Sequence, residues 1–458
     1  MTVEPGSVPS LLTPLRDPPA ARRRSGRYLS VQVKFTIALA WSVLWMAGSV
    51  WLSLPWLRDL ADLTHPVIAV LVITLVAYLP GGVVAFLAAS LVLDRQPPLR
   101  VTSPTTPVTV VIAARNEAAG IGTTLRYLAN QDYAGPVTVV LADNGSADGT
   151  AEVAAQAAQD LGVRLVVVDA PVPGKSHALN AALDRVTTGL VVTLDADTLL
   201  HPSALRSLVA RLESAPDDVV AVAGSILVRN SRDGFWARMQ EWDYFLGIAS
   251  VKRMQGLYQG TLVAQGAFSL YRTDAVRAVG GWPDAIGEDI VITWHLLAQR
   301  GRVYFEPLAV AFTDVPVSLR HLARQRARWA RGMLEGLRAV PPWRQHTPMT
   351  RLMTGLDLVI PALDLGYTLI WMPGLVLALA GYYWVVGPWT LFVLPLTLLV
   401  NVILYRFQRR HVFGRLGLRV RRNAVGFVAY VVVYQMVMSP VAVYGYLQEL
   451  VGSRRRWK

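Results

Sequence analysis

The sequence predicts an α/β domain with a parallel sheet, inserted between α-helical transmembrane segments. Between residues 108 and 212, four short apolar runs alternate with helical patterns, and long uncharged apolar stretches lie on both sides of this region. Alternating strands and helices are typical of a parallel sheet with covered faces. The chain has 458 residues, 53% hydrophobic and only 16% charged, a balance too apolar for an ordinary soluble protein.

Four uncharged stretches are long enough to cross a membrane, at 35–57, 66–93, 365–405 and 424–447. About 20 apolar residues span a bilayer, and the third stretch has room for two spans, so we expect five transmembrane helices. The first stretch lies too deep in the chain to be a cleaved signal peptide. The chain contains no cysteine, which excludes disulfides, thiol nucleophiles and zinc–thiolate sites.

The formal net charge is +13, and arginines cluster beside the apolar stretches, at 22–27 and 406–422. Such flanks mark a cytoplasmic face in contact with anionic lipid, and they argue against nucleic acid as the partner. We therefore expect a multi-pass protein of the inner (plasma) membrane whose soluble region is cytoplasmic. A fifth crossing would place the basic tail at 454–458 outside, against this rule, so the topology of the last segment stays open.

The predicted organisation has six parts. They are a disordered basic N-terminus at 1–30, two transmembrane helices at 31–95, the cytosolic α/β domain at 96–317, amphipathic interface helices at 318–355, about three transmembrane helices at 356–447, and a basic tail at 448–458. In the helix predicted at 318–339, one face carries five apolar residues, which indicates a helix lying on the membrane surface. These residues are Leu319, Leu322, Trp329, Met333 and Leu337.

Four strands and four helices are predicted within the soluble region. The strands are 108–113, 137–142, 164–169 and 190–194, and the helices are 123–130, 151–161, 176–186 and 203–212. Asp195 and Asp197 directly follow the fourth strand. Ligand sites in open α/β sheets lie beyond the carboxyl ends of the strands, where two carboxylates suit Mg²⁺ or Mn²⁺ alongside substrate phosphates. An Asp-rich turn that caps the next helix is the alternative interpretation.

Polar residues also follow the other predicted strands. Arg115 and Glu117 come after the first strand, Asp143 directly follows the second, and Lys175 lies beyond the third. We expect these strand ends to form a nucleotide crevice in which Asp143 contacts the base or ribose and Lys175 meets a diphosphate. Turn and helix-cap chemistry also explains the loop at 143–150.

Two other nucleotide motifs fit poorly. A P-loop requires a glycine at the position of Asp169, five residues before Gly174. A dinucleotide-binding fold requires glycines in the loop after its first strand, but no glycine precedes Gly120 in that loop.

Further on, Glu288 and Asp289 open a predicted helix at 290–298, where they either cap the helix or supply a general base. The segment at 235–258 is predicted to be a helical, aromatic-rich part of the core.

Five short motifs occur in a fixed order between the membrane segments. They are D-N-G-S at 143–146, G-K-S-x-A-L-N at 174–180, D-A-D at 195–197, G-E-D at 287–289 and Q-x-x-R-W at 325–329. In this order they resemble the membrane-bound family 2 glycosyltransferases that make polysaccharides. That family includes cellulose, chitin and hyaluronan synthases and the bacterial poly-β-1,6-N-acetylglucosamine synthases, and the helix arrangement looks most like the last of these.

The resemblance implies a GT-A (Rossmann-like) fold, a UDP-sugar donor and a Mg²⁺ or Mn²⁺ ion. Asp289 would be the catalytic base, Asp195 and Asp197 the metal ligands, and Trp329 and Glu288 the acceptor-binding residues. The donor-binding residues would be Ala113, Arg115, Glu117, Asp143, Lys175, Asp195, Gln325 and Arg328.

The implied reaction is an inverting transfer from UDP-N-acetylglucosamine that elongates a β-linked polysaccharide at the cytoplasmic face. The polymer would leave through the enzyme's own helices, and an accessory membrane subunit fits this scheme. Two residues depart from the family pattern: Asn144 stands where many members have a second Asp, and Gly287 stands where a Thr is common. Two alternatives stay open, a non-processive transferase with a lipid acceptor and a transporter or scaffold whose soluble domain only binds nucleotide.

Overall fold

The computed structural model describes residues 29–95, 97–388, 393–420 and 422–452. Nearly all of the segment predicted to be a disordered N-terminus, and the basic residues of the tail, lie outside these ranges. Eight strands form one sheet. They are β1 Val108–Ala114, β2 Val137–Asp143, β3 Arg164–Asp169, β4 Leu190–Leu194, β5 Leu199–Leu200, β6 Val219–Val228, β7 Phe268–Arg272 and β8 Arg302–Thr313.

Sixteen helices occur in the described part of the chain. They are α1 Val31–Leu52, α2 Leu54–Leu63, α3 Pro66–Val92, α4 Ala118–Ala129, α5 Thr150–Leu161, α6 Lys175–Leu183, α7 Ala204–Glu213, α8 Phe235–Trp242, α9 Ala249–Leu257, α10 Thr273–Ala278, α11 Glu288–Ala298, α12 Leu319–Ala339, α13 Pro348–Leu379, α14 Val393–Phe407, α15 Ala424–Val432 and α16 Tyr434–Leu450. A π-helical segment, Asp243–Ile248, joins α8 to α9, and a short 3₁₀ turn, Pro342–Arg344, precedes α13.

The sheet is mixed, with the strand order β3-β2-β1-β4-β7-β6-β8-β5. Strands β1 to β4 pair with one another in parallel, as predicted. Strand β7 runs antiparallel to both β4 and β6, and β5 runs antiparallel to β8. Strands β6 and β8 pair in parallel. The parallel sheet predicted for the first four strands is therefore present, and the later strands make the whole sheet mixed, because apolar runs reveal strands but not the direction in which a later strand returns.

Both faces of the sheet are covered, and the side chains of β1 alternate between the two layers. Val111 packs in the layer that contains α6 and α11, whereas Val110 and Ile112 pack in the layer that contains α4, α5 and α7. This period of two is the expected one for a strand that is buried on both faces. The sheet thus holds the carboxyl ends of β1, β2 and β4 in fixed positions along one edge.

Three described helices, α1, α3 and α13, are long and apolar enough to cross a membrane, and the pair α15–α16, bent by 52°, would be a fourth. The sequence predicted five crossings. The remaining predicted span corresponds to α14, which has 15 described residues and follows the segment 389–392 that lies outside the described ranges. Helix α13 also passes without a break through residue 356, where the transmembrane region was predicted to begin.

Helix α12 begins after Ser318, whose side chain caps it, close to the predicted start. Of the five predicted apolar residues, Leu322 and Leu337 are buried, whereas Leu319 is 43% exposed and Trp329 is 38% exposed. The buried face also includes Arg326, Arg331 and Glu335. These charges are buried because each has a partner elsewhere in the chain, so α12 packs within the protein along much of its length instead of only lying on a membrane surface.

Candidate active site

A lysine links two acids at the carboxyl edge of the sheet. Lys175 is the first residue of α6, and its Nζ lies 2.7 Å from Asp195 Oδ1 and 3.5 Å from Glu288 Oε1. Asp195 directly follows β4, and its backbone N–H donates to the carbonyl of Ala267. Burial opposes the charge on Lys175, but the two carboxylates outweigh it and raise the pKa of the lysine. The structure thus brings together residues that lie far apart in the sequence.

Asp289 lies in the same group, at the first turn of α11. Its Oδ2 accepts a hydrogen bond from the N–H of Gly266 at 3.2 Å, and its Oδ1 accepts one from the N–H of Ile290 at 2.9 Å. The carboxylate is half-buried and close enough to Lys175 to contribute to the raised pKa of that lysine. Two backbone donors therefore fix the orientation of Asp289 at the crevice.

The acid cluster, defined as Glu117, Asp195, Asp197, Glu288 and Asp289, carries more negative charge than Lys175 neutralises. Burial raises the pKa of Glu288, and Asp289 adds to this effect while Lys175 opposes it. Burial, followed by the charge of Asp195, raises the pKa of Asp197 to about 6. Burial also raises the pKa of Glu117, with Asp197 and Asp195 contributing.

This accumulation of carboxylates suits a divalent cation. Among the described residues, no set of three His, Cys, Asp or Glu side chains is arranged to hold a metal ion. Mg²⁺ needs no such set, because it is usually bound by one or two carboxylates together with water and substrate phosphates. Asp195 and Asp197 fit that pattern, since a cation would offset both the burial of the Asp197 charge and its repulsion by Asp195, which together raise the pKa of Asp197.

The loops after β1 and β2 are locked together on the other side of the crevice. The N–H of Glu117 donates to Thr150 Oγ1 at 2.9 Å, and Asp143 Oδ1 accepts the N–H of Ser146 at 3.1 Å. Asp143 therefore forms the turn that the sequence allowed as an alternative. Ala113 lies near the end of β1 and Arg115 in the loop that follows.

The hydrogen bonds of Asn144 explain why this chain has an asparagine where many family members have an aspartate. The residue is buried, and its Nδ2 donates to the carbonyl oxygens of Ala170 and Val172, both at 2.7 Å. Its Oδ1 accepts the N–H of Gly174 at 2.9 Å. An ionised Asp has no donor for these carbonyls. The amide thus ties the loop after β2 to the segment that presents Lys175.

Gly287 is the other departure, and its neighbour on α12 explains it. A Cβ atom at Gly287 would lie 2.6 Å from the Cα of Gly332, so a threonine has no room at this position. Glu335, one turn further along α12, accepts the N–H groups of Ile286 and Gly287 at 2.7 and 3.1 Å. The segment that carries Glu288 and Asp289 is therefore seated directly on α12.

In the Q-x-x-R-W segment, Arg326 is the most tightly held residue. Arg326 pairs with Asp243 at 2.7 Å, and its guanidinium lies 4.2 Å from the centroid of a Trp329 ring. Trp329 in turn faces Tyr244 at 6.5 Å between ring centroids. Burial raises the pKa of Tyr244 to about 12; the charge of Arg326 opposes this effect, and the charges of Asp243, Asp197 and Asp195 add to it.

Gln325 and Arg328 lie on the same helix without contacting the acid cluster. Within the described ranges, neither side chain forms a hydrogen bond or ion pair with those acids. Arg328 is exposed, and Gln325 Oε1 is a buried oxygen that has no hydrogen-bond partner among the described residues. Arg328 thus points its charge to solvent and Gln325 holds an oxygen that is buried and unpaired in the described part of the chain, whereas Arg326 serves the packing of the protein.

Lys252 is a buried lysine whose charge interacts with Asp289, and the sequence analysis did not single it out. It is buried in α9, and its Nζ donates to the carbonyl of Val263 at 3.0 Å. Burial lowers the pKa of Lys252 to about 7, and Asp289 acts in the opposite direction. The available signal was a lysine within the aromatic-rich stretch at 235–258, which was interpreted only as core packing.

The mixed sheet with acids, a lysine and a helix start at one edge defines a GT-A glycosyltransferase. Residues 104–332 match the model described as glycosyltransferase like family 2, which is half of the chain, and the protein belongs to that family. The family resemblance predicted from the five motifs is thus confirmed.

The chain is similar to poly-β-1,6-N-acetyl-D-glucosamine synthases from Staphylococcus. It is 31% identical to that of Staphylococcus aureus strain COL and 29% identical to that of Staphylococcus epidermidis, in each case over 226 residues, or 49% of this chain. These matches span about half the length of the relatives, 54% in both. The fold is similar to that of the mannosyltransferase PcManGT from Pyrobaculum calidifontis, a structure solved in complex with GDP-Man and Mn²⁺. The TM-score is 0.57 and the sequence identity is 20%. The match covers 84% of this chain and 99% of the mannosyltransferase chain.

Proposed function

We propose that the protein is an inverting hexosyltransferase that adds sugar from UDP-N-acetylglucosamine to a growing β-linked polysaccharide. The observation that carries this proposal is the placement of Lys175 between Asp195 and Glu288, with Asp289 beside them. The choice of donor rests on the curated relatives, which are named poly-β-1,6-N-acetyl-D-glucosamine synthases.

The donor would lie along the edge of the sheet. Asp143 would contact the uridine, and Lys175 and Arg328 would contact the diphosphate, where charged donors stabilise the developing negative charge. Asp195 and Asp197 would hold Mg²⁺ or Mn²⁺, which when bound stabilises the leaving diphosphate as a Lewis acid. The other proposed donor contacts are Ala113, Arg115, Glu117 and Gln325.

Asp289 would act as the general base. Its carboxylate takes the proton of the acceptor hydroxyl while that oxygen forms a bond to the anomeric carbon. The bond from that carbon to the diphosphate oxygen breaks on the opposite face, and UDP leaves with the electron pair. General-base assistance of this kind contributes about 10²–10⁴-fold. Glu288 and Trp329 would position the acceptor, since an exposed indole offers a flat apolar surface to a sugar ring.

The helices that are long enough to cross a membrane support a multi-pass plasma-membrane location. In the proposed arrangement the sheet faces the cytoplasm, where UDP-sugars are available, and the polymer leaves through the membrane helices. An accessory membrane subunit is compatible with this arrangement.

A donor screen with the purified full-length protein tests the proposal. UDP release and product mass are measured together for several UDP-sugars, with and without Mg²⁺ or Mn²⁺. We expect UDP release with UDP-N-acetylglucosamine, a requirement for the metal, and a ladder of products. A single sugar added to a lipid would favour the non-processive alternative, and a complete lack of UDP release from every donor would overturn the proposal.

A further inference from the structure

A cavity lies outside the acid cluster, between the start of α15 and helix α8. Its volume is about 170 Å³. It is lined by Arg232, Arg238, Arg422, Asn423, Ala424 and Val425. None of the residues assigned above to the donor, the metal or the acceptor takes part in this lining, so the cavity requires its own explanation.

The walls of the cavity are held together by side chains from both helices. Asn423 Nδ2 donates to the carbonyl of Arg238 at 2.8 Å and to Glu241 Oε2 at 2.6 Å. Trp242 Nε1 returns a hydrogen bond to the carbonyl of Asn423 at 2.8 Å. The indole also packs edge-on against Phe427, with ring centroids 5.0 Å apart. These contacts fix α8 of the α/β domain against α15.

The cavity has an excess of positive charge. Arg232 pairs with Glu241 at 3.1 Å and donates to the carbonyl of Arg422 at 3.2 Å. Within the described ranges, neither Arg238 nor Arg422 forms a salt bridge, so three guanidinium groups face one carboxylate. The planar guanidinium matches the geometry of phosphate and can bind it through two hydrogen bonds.

The surroundings of the cavity match the boundary between lipid headgroups and acyl chains. Helix α15 begins the bent pair that is apolar enough to cross a membrane. Val425, which lines the cavity, is 57% exposed. Phe235 and Val428, each three residues along the chain from a lining residue, are 44% and 60% exposed. Basic pockets at the cytoplasmic ends of membrane helices bind anionic headgroups, and the neighbouring apolar side chains would contact the acyl chains.

We propose that this cavity binds the phosphate group of an anionic phospholipid through Arg238 and Arg422. The lipid would fasten α8 to α15 and so fix the α/β domain relative to the membrane helices. Because α8 continues through the π-helical segment into α9, the same contact would set the position of the helix that carries Lys252. A free phosphate ion offers the same chemistry, and the experiment must separate these two sources.

The test uses the full-length protein in phosphatidylcholine nanodiscs that contain a minor fraction of phosphatidylglycerol. Native mass spectrometry after mild delipidation measures how much phosphatidylglycerol stays bound. We expect the double variant Arg238→Gln/Arg422→Gln to bind it at least about tenfold more weakly, because both charge-assisted hydrogen bonds to the phosphate are lost. The matched control, Arg409→Gln/Arg410→Gln, removes the same charge from exposed arginines of the preceding basic segment and should retain the lipid.

Two outcomes would overturn the proposal. Equal loss of phosphatidylglycerol in both double variants would show a non-specific effect of charge. Displacement of the bound lipid by inorganic phosphate at matched concentration would assign the cavity to a soluble ion. If the double variant does not fold, the single substitution of the exposed Arg422→Gln provides the same comparison against Arg410→Gln. The lipid measurement requires no glycosyl transfer, so its result is independent of the proposed function.

Discussion

Gly287 and Gly332 meet backbone to backbone, because a Cβ atom on Gly332 would lie 2.8 Å from the Cα of Gly287. One glycine precedes the acid pair of α11, and the other lies in the middle of α12. Glu335 completes the contact by accepting two backbone N–H groups from the segment before the pair. The position of Glu288 and Asp289 therefore depends on α12 as much as on the sheet.

Gly332→Ala should destabilise the protein and lower UDP release. Alanine is ordinarily favoured over glycine inside a helix by about 0.8–1.0 kcal/mol. Here the added methyl group meets backbone, and overpacking of this kind costs about 1–3 kcal/mol. We expect the thermal midpoint in detergent to fall, and turnover to fall with it because the acid pair is displaced.

Gly355→Ala is the matched control for this substitution, because nothing lies within 4 Å of a Cβ atom at that helical position. The control should unfold at the same temperature as the wild type or slightly higher. A rise in the thermal midpoint of Gly332→Ala equal to that of the control would contradict the close contact.

Asn144→Asp tests whether the departure from the family pattern is structural. The substitution removes the donor to the carbonyls of Ala170 and Val172, and buried groups left without partners cost about 1–3 kcal/mol. We expect a lower thermal midpoint and weaker UDP binding, since the same amide anchors the approach to Lys175. Asn130→Asp, at an exposed helix end, should cost at most about 1 kcal/mol. Equal effects of the two substitutions would remove Asn144 from this role.

Much of the sheet was predictable, because the local sequence pattern determines where each of its first strands begins and ends. Strands β1 and β2 end one residue beyond their predicted ends, because each is a continuous apolar run followed by a polar turn. Helix α4 starts at Ala118, five residues before the predicted start, because the small residues there carry no apolar period. Local pattern determines such elements, whereas the antiparallel entry of β7 depends on the path of the chain between strands.

Asp289→Asn separates catalysis from donor binding. The amide keeps the size of the side chain but does not accept a proton, so UDP release should fall by about 10²–10⁴-fold. Binding of UDP, measured by calorimetry, should change little, because no proposed donor contact is removed. If donor affinity fell as far as turnover, Asp289 would be a binding residue and the assignment of the base would be wrong.

Lys252→Met tests the buried lysine through its pH dependence. The pKa of Lys252 in the folded protein is about 7, well below its ordinary value of 10.5. Between these two values the unfolded chain holds a proton that the folded chain lacks, so the stability of the wild type rises with pH in this window.

The substitution removes this contribution. Lys252→Met should therefore be more stable than the wild type near neutral pH, by an amount on the order of a few kcal/mol, and the difference should shrink about three pH units higher. Thermal midpoints of both proteins at the two pH values check this expectation. The difference between the proteins is the informative quantity, because other titrating groups cancel, and a difference that did not change with pH would show that Lys252 keeps an ordinary pKa.

The burial of charged residues on α12 was not predictable from local pattern. Arg326 pairs with Asp243, 83 residues away, and Arg331 pairs with Glu449, 118 residues away. Helical periodicity treats such arginines as solvent-facing, because charged side chains are rarely buried unless they are paired. Lys252 was missed for the same reason, since only the fold places it beside Asp289.

The contacts that hold the acid pair, Glu288 and Asp289, against α12 limit where the chain can be truncated. A fragment that stopped at residue 317 would keep the sheet but leave the amides of Ile286 and Gly287 without the carboxylate that holds them. Helix α12 is itself tied to α16 through Arg331 and Glu449. A fragment that keeps all of these contacts therefore extends to the last described helix, and the α/β region alone lacks them.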